Sequence, residues 1–209
     1  MKRSSLFVVA MLAFGVGLWA GPCTVGSPNL VTNCGFETAS FSGWTTNSPN
    51  GFLLVQPLVV NNGLWAAELG DAFDTPSLLT QSITTTPGEQ YLISFWLAED
   101  TLFSDGNNEA FTAAFGTTTG YSSTNPGNAP FSYTQFTFNA YATGTSSLLA
   151  FTGGNDPGAW YLDDVEVTDT GVNLNQEAPS VPEPATLLLL GSGLMAVARR
   201  LRKGTTVIS

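Results

Sequence analysis

Between Ser77 and Asp169 the chain holds six runs in which apolar residues alternate with small or polar ones: "SLLTQSITTT", "QYLISFWLAE", "EAFTAAFGTT", "FSYTQFTFNA", "SSLLAFTGG" and "AWYLDDVEVTD". A strand sends successive side chains to opposite faces, so such a run buries one face and leaves the other in water. Pro87-Gly88, Asp105-Gly106, Pro126-Gly127, Gly144 and Gly153-Gly154 punctuate the runs with turn-forming residues. Many short strands at this spacing predict an all-β fold, a jelly-roll β-sandwich. Residues 21–170 are long enough for one domain with its own core, and 171–180 read as a linker.

All six basic residues sit at the ends of the chain, Lys2 and Arg3 at one and Arg199, Arg200, Arg202 and Lys203 at the other, and there is no His. The sixteen acids lie between Glu37 and Glu183. The middle is therefore a polyanion without a side-chain cation. It repels nucleic acid, whose binding needs Lys and Arg to release counterions, and anionic lipid headgroups. Its charge suits divalent cations, neutral sugars or a basic partner. Lacking His and any internal Lys, it also lacks Ser-His-Asp, Cys-His and Lys-dependent catalysis. A glycosidase-like carboxylate pair is what remains, with Glu68, Glu99 and Glu109 as candidates, and nothing in their spacing sets two across a cleft. The chain is expected not to be an enzyme.

The opening "MKRSSLFVVAMLAFGVGLWA" has a basic start, an apolar stretch from Leu6 to Trp19 and a small residue at Ala20. That is the pattern of a secretory signal peptide over residues 1–20. The stretch is short for an uncleaved anchor. Export to an oxidising compartment makes a disulfide the expected state of Cys23 and Cys34. Closing a loop of that size stabilises a fold by about 3 kcal/mol in the chain-entropy model.

Residues 181–203 read "VPEPATLLLLGSGLMAVARRLRK", and 204–209 follow as a tail. The apolar run from Ala185 to Ala198 is about 14 residues long, whereas a membrane-spanning helix needs about 20. The basic cluster beyond it would stay cytoplasmic. Val181, Pro182, Glu183 and Pro184, then the short apolar helix, then Arg199, Arg200, Arg202 and Lys203 resemble the PEP-CTERM sorting tag of bacterial exported proteins. The resemblance implies a transient inner-membrane tether, removal by an exosortase-type membrane sorting enzyme, and delivery to the cell surface or extracellular matrix. The trailing "GTTVIS" departs from that family, whose members usually stop at the basic cluster. An ordinary tail anchor is the alternative.

Two further stretches, "NLVTNCGFETASFSGWTT" and "WYLDDVEVT", resemble the two ends of galactose-binding-like β-sandwich domains, a group that includes many carbohydrate-binding modules. "TTPGEQYLISFWLA" and "NDPGAWYLDDVEV" look closer still to domains that precede a PEP-CTERM tag. The resemblance implies a structural calcium ion where the first and last strands meet, held by Glu37 and by Asp163 or Asp164. Calcium takes hard oxygen ligands, and no internal cation is present to neutralise these acids. On a regular strand Asp163 would share a face with Val165 and Val167, and Asp164 would face the other way. A second acidic cluster, Glu99, Asp100, Asp105 and Glu109, lacks EF-hand spacing and reads as a hairpin turn on Asp105-Gly106.

Aromatic faces suit the C–H surfaces of sugars. Trp96, within "SFWLA", reads as core, and Trp44 and Trp160 as core or metal-rim packing; Trp65, Phe103 and Tyr121 are the predicted ligand contacts. The combined expectation is a secreted, non-catalytic sandwich that binds extracellular polysaccharide and carries calcium as a structural ion. A purely structural matrix protein is the alternative, and a carboxylate-dependent glycoside hydrolase a distant third.

Overall fold

The computed structural model describes residues 28–72, 74–99, 109–124, 131–155 and 158–174, together with Leu194. All six alternating runs are strands. In chain order the strands are β1 (Thr45–Asn47), β2 (Leu53–Gln56), β3 (Ala66–Leu69), β4 (Ser77–Thr84), β5 (Glu89–Glu99), β6 (Glu109–Phe115), β7 (Thr118–Thr124), β8 (Thr134–Tyr141), β9 (Ser146–Asn155) and β10 (Trp160–Asn173). One sheet has the order β1-β4-β9-β6-β7 and the other β2-β3-β10-β5-β8. Their pairings are antiparallel, and the two sheets form the jelly-roll sandwich that the alternation implied.

Strand β6 shows why the pattern works. Phe111, Ala113 and Phe115 are buried while Ala110, Thr112 and Ala114 are half-buried on the other side. The inward residues of both sheets meet in an aromatic core. Phe95 lies 5.3 Å from Phe151, and Phe111 lies 5.5 Å from Trp160, ring centre to ring centre. Tyr121 on β7 and Phe136 on β8 extend this cluster at 4.3 Å. Trp44 and Trp160 are buried as expected, and each indole N–H donates to a backbone carbonyl, of Asn33 and Gly154 respectively.

A glycine makes room for one edge of that core. A Cβ on Gly120 of β7 would stand 1.9 Å from Cγ of Phe138, so the ring lies directly on the glycine backbone. Gly120→Ala is expected to destabilise the fold by about 1–3 kcal/mol, because the ring must leave its rotamer or the strands must part. Urea denaturation checks this; an unchanged midpoint would show that Phe138 moves aside freely.

The chain divides into two compact units, Met1–Asn173 and Leu174–Ser209. Strand β10 runs through Gly171 to Asn173, so the sandwich extends past the expected boundary at residue 170 into the expected linker. Among the described residues no helix is long and apolar enough to cross a membrane. The signal peptide, Cys23, Asp100, Phe103, Asp105 and the motif residues Val181 to Pro184 and Arg199 to Lys203 lie outside the described residues.

Candidate functional site: an acid-latched loop and an outward aromatic face

The three expected metal ligands are brought to one region by a tight turn and a bulge. The turn is the segment 33–39, where Asn33, Phe36 and Ala39 all have positive φ. A buried Phe in that conformation is costly and persists only where the surroundings impose it. Here the Asn33 side chain donates to the carbonyls of Ser40 and Ser42, and Phe36 packs 5.7 Å from Trp44. The turn is tied to the last strand by the Val165 N–H, which donates to the Cys34 carbonyl at 2.9 Å. Cys34 itself is buried and disulfide-bonded.

The bulge corrects the expected placement of the two aspartates. On β10, Asp163 pairs with Trp96 and Glu166 with Ser94, so Asp164 and Val165 oppose the single residue Phe95. Asp164 takes φ +47, and the inward residues become Trp160, Leu162, Val165 and Val167. Asp163 therefore shares the outer face with Tyr161 and Glu166, not the inner face with Val165. Both aspartates are nonetheless buried, because the loop 57–65 between β2 and β3 folds over them.

That loop is latched almost entirely through its amides. Asp163 Oδ2 accepts from the N–H groups of Asn61 (2.9 Å) and Asn62 (3.2 Å), and its Oδ1 accepts from Asp164 N–H at 2.8 Å. Asp164 Oδ2 accepts from the Asn61 side chain at 2.8 Å. Glu37 receives the N–H groups of Leu64 and Trp65. Gln56 and the Tyr133 hydroxyl both donate to the Val59 carbonyl. Burial, then the neighbouring Asp164 charge, pushes Asp163 up to about 7 despite those donors. Burial also raises Asp164, with Glu37 adding to it, and raises Tyr133, whose neighbours are Asp163, Asp164 and Tyr161. Uncompensated negative charge is concentrated under one loop.

The donor set fits a hard divalent cation in its chemistry. The atoms are carboxylate oxygens, and no Lys, Arg or His stands between Ser4 and Ala198. Asp163 Oδ1 and Asp164 Oδ2, which accept one hydrogen bond each, keep a second lone pair, whereas Asp163 Oδ2 already accepts two. Among the described residues no group of three acids already converges at metal-binding distance. An ion here would be held by Asp163 or Asp164, with Glu37 holding the loop.

Among the described residues the three carboxylates nominated for catalysis are not set across a common cleft. Glu99 and Glu109 both turn inward and are buried, with Asn155 beside them at 3.5 Å from Glu99 Oε1. Glu68 stands on β3 with its neighbours on the outer face, Leu54 and Tyr161. Asp71, which sequence reasoning passed over, is a structural acid. Burial would raise it, but hydrogen bonds from Ser48, Phe52, Ser77 and Asn50 together hold it below the usual carboxylate range.

The aromatic expectations need two corrections. Tyr121 was expected on an exposed loop; it lies on β7 opposite Ala113 and packs against Phe95, Phe111 and Phe136. Trp96 was expected in the core; on β5 it alternates with inward Phe95 and Leu97 and is half-buried on the outer face. Tyr161, diagonal to it across the pairing with β10, is half-buried on the same face, and Gln135 of β8 stands opposite Trp96. Trp65 is partly buried and packs against the core. The outer face of the first sheet is instead built from Thr, Ser, Ala and Leu, including Thr80, Thr112, Ala150 and Thr152.

This architecture is shared with carbohydrate-binding domains. It matches TmCBM61 in complex with β-1,4-galactotriose at a TM-score of 0.50 and 16% identity, covering 68% of this chain and 98% of that one. It matches the enzymatically active domain of the bacteriophage CBA120 tailspike protein 4 at a TM-score of 0.50 and 15% identity, covering 68% of this chain and 22% of that one. A Family 16 Carbohydrate Binding Module-2 aligns at a TM-score of 0.45 and 16% identity, covering 67% of this chain and 99% of that one. These likenesses are of fold. No curated protein matches the chain in sequence. The particular assignment comes from the other end: residues 180–203 are a PEP-CTERM protein-sorting motif. The motif marks an exported protein sorted to the cell envelope or surface and implies processing by an exosortase.

Proposed function

We propose that the protein is a non-catalytic surface or matrix component that binds extracellular polysaccharide through the outer face of its second sheet. The observation that carries this reading is the outward placement of Trp96 with Tyr161 diagonal to it, both excluded from a core that takes up most of the other aromatic rings. A tryptophan left out of so aromatic a core is the kind of flat apolar surface a sugar ring stacks on. The absence of an internal cation directs the reading to neutral rather than acidic glycans. The match in fold to a module solved with β-1,4-galactotriose supports the class of ligand and not its identity.

In the same reading calcium is a structural ion at Asp163 and Asp164, where it would supply positive charge to a buried acidic cluster and fix the loop 57–65. The sorting tag tethers the chain in the inner membrane until an exosortase removes it. Affinity electrophoresis of the full-length protein in neutral polysaccharide gels tests the binding. Trp96→Ala is expected to weaken retardation at least tenfold while altering stability by less than about 1 kcal/mol. Equal retardation of Trp96→Ala and the wild type would remove the face from the binding site.

A further inference from the structure

We propose a second glycan site, a groove along the part of the β4 edge that no described strand covers, which accepts a neutral sugar chain. The proposal rests on the polysaccharide reading above but uses a different sheet and different residues. Strand β1 pairs with β4 only from Thr45 opposite Thr80 to Asn47 opposite Leu78, whereas β4 continues to Thr84. Just before Thr45 the chain turns away at Gly43, whose φ is +84. A Cβ there would stand 3.0 Å from Thr32 Cγ2, so Gly43 is tucked against Thr32.

Thr32 is in turn clasped by the buried Gln81. Its N–H donates to Gln81 Oε1 at 2.8 Å, and Gln81 Nε2 donates to its carbonyl at 3.0 Å. The space left between the segment 30–32 and β4 is a groove of about 560 Å³, lined by Leu30, Thr32, Thr45, Gln81, Ser82 and Thr84 among others.

The polarity of the floor follows from the register. Thr85 N–H donates to the Thr145 carbonyl at 3.0 Å, continuing the pairing of Thr84 with Ser146. In an antiparallel pair, directly bonded positions alternate with positions whose backbone groups point the other way. Ser82 and Thr84 therefore aim their N–H and C=O groups away from β9, into the groove. Thr32, Thr45 and Thr84 line the groove beside them, the Ser82 hydroxyl is paired with that of Ser146 at 2.7 Å, and Leu30 and Ile83 add an apolar wall. None of the lining residues is charged. A ligand here needs many donors and acceptors, no net charge and a slender shape.

An extended peptide meets these conditions less well. Only two residues of the edge offer backbone groups, β1 blocks one end at Thr45, and the turn at 85–88 closes the other. Strand addition gains its affinity from longer main-chain pairing. An acidic glycan would find no cation to pair with. Sugar hydroxyls donate and accept in many directions and suit both the edge and its walls.

The test is titration of the ¹⁵N-labelled full-length protein with β-1,4-galactotriose, xylotriose and cellotriose, with trigalacturonate and tetra-alanine as comparisons. At least one neutral trisaccharide is expected to shift the amide signals of Ser82 and Thr84. Thr84→Tyr, which fills the groove from an exposed position, is expected to lower that affinity at least tenfold without changing the melting temperature. Shifts confined to Trp96 and Tyr161, or full affinity in Thr84→Tyr, would overturn the groove and leave the face reading intact. Groove shifts with tetra-alanine or trigalacturonate alone would overturn it in favour of a peptide or an acidic glycan. Silence of every neutral trisaccharide at millimolar concentration would overturn both readings.

Discussion

With divalent cations chelated, the protein is expected to become more stable as pH falls from about 8 to about 5, and less stable again below about 4. The first limb comes from Asp163. Its folded-state pKa is raised from 3.8 to about 7, so below 3.8 its carboxyl is protonated in both folded and unfolded chains and costs nothing. As pH rises towards and through 7, the unfolded chain ionises freely while the folded one must ionise a buried group beside Asp164. By linkage that loss reaches up to about 4 kcal/mol, on the order of 10 °C in melting temperature. Asp164 is shifted in the same direction.

The second limb comes from Asp71, whose folded pKa is lowered by its four hydrogen-bond donors. Its contribution is present above 3.8 and disappears as pH falls through the folded value. Calcium should reverse the first limb. If the ion binds the ionised aspartates, adding it at about pH 8 raises the melting temperature most where the chelated protein is weakest. Thermal unfolding across pH, with and without calcium, measures both effects. A flat chelated profile would mean that Asp163 is not desolvated in solution. A sloping profile unmoved by calcium would keep the latch and remove the ion.

What the alternation disclosed, and what it hid, has a common physical origin. β4, β6 and β9 bury one face each in register with their apolar residues, and six runs became six strands. β1, β2 and β3 have only three or four residues, too few for a period to emerge, and β7 is mostly Thr, Ser and Gly. The bulge at Asp164 leaves no trace in "DDVEV", because a positive φ at Asp is cheap and needs no glycine to announce it. Yet that one inserted residue decides which face Asp163 occupies. The pairing of Glu37 with the loop 57–65 was equally hidden, since it runs through backbone amides that any sequence would supply. Glu37, Asp163 and Asp164 were legible as a group; their present partners were not.

Trp96 was misplaced for a different reason, and its neighbour Phe95 gives the last large effect. β5 is an interior strand covered on much of both faces, so "SFWLA" reads as one apolar run with no visible parity. Parity nevertheless separates the two residues completely. Phe95 is fully buried, and its ring lies 5.3 Å from Phe151, 5.8 Å from Phe136, 5.9 Å from Tyr121 and 6.2 Å from Phe111. Those four rings come from β9, β8, β7 and β6, so a single side chain joins five strands across both sheets. Phe95→Ala is expected to cost about 3–5 kcal/mol, because the surrounding rings are held by their own strands and cannot all close the cavity. Trp96→Ala, one residue along, is expected to leave stability nearly intact and to weaken glycan binding. Denaturant unfolding and affinity electrophoresis of the two variants form a crossed pair of measurements. Large destabilisation by Trp96→Ala with retained binding would place that tryptophan in the structural core after all. A small effect from Phe95→Ala would show that Tyr121 and Phe136 collapse into the vacated space.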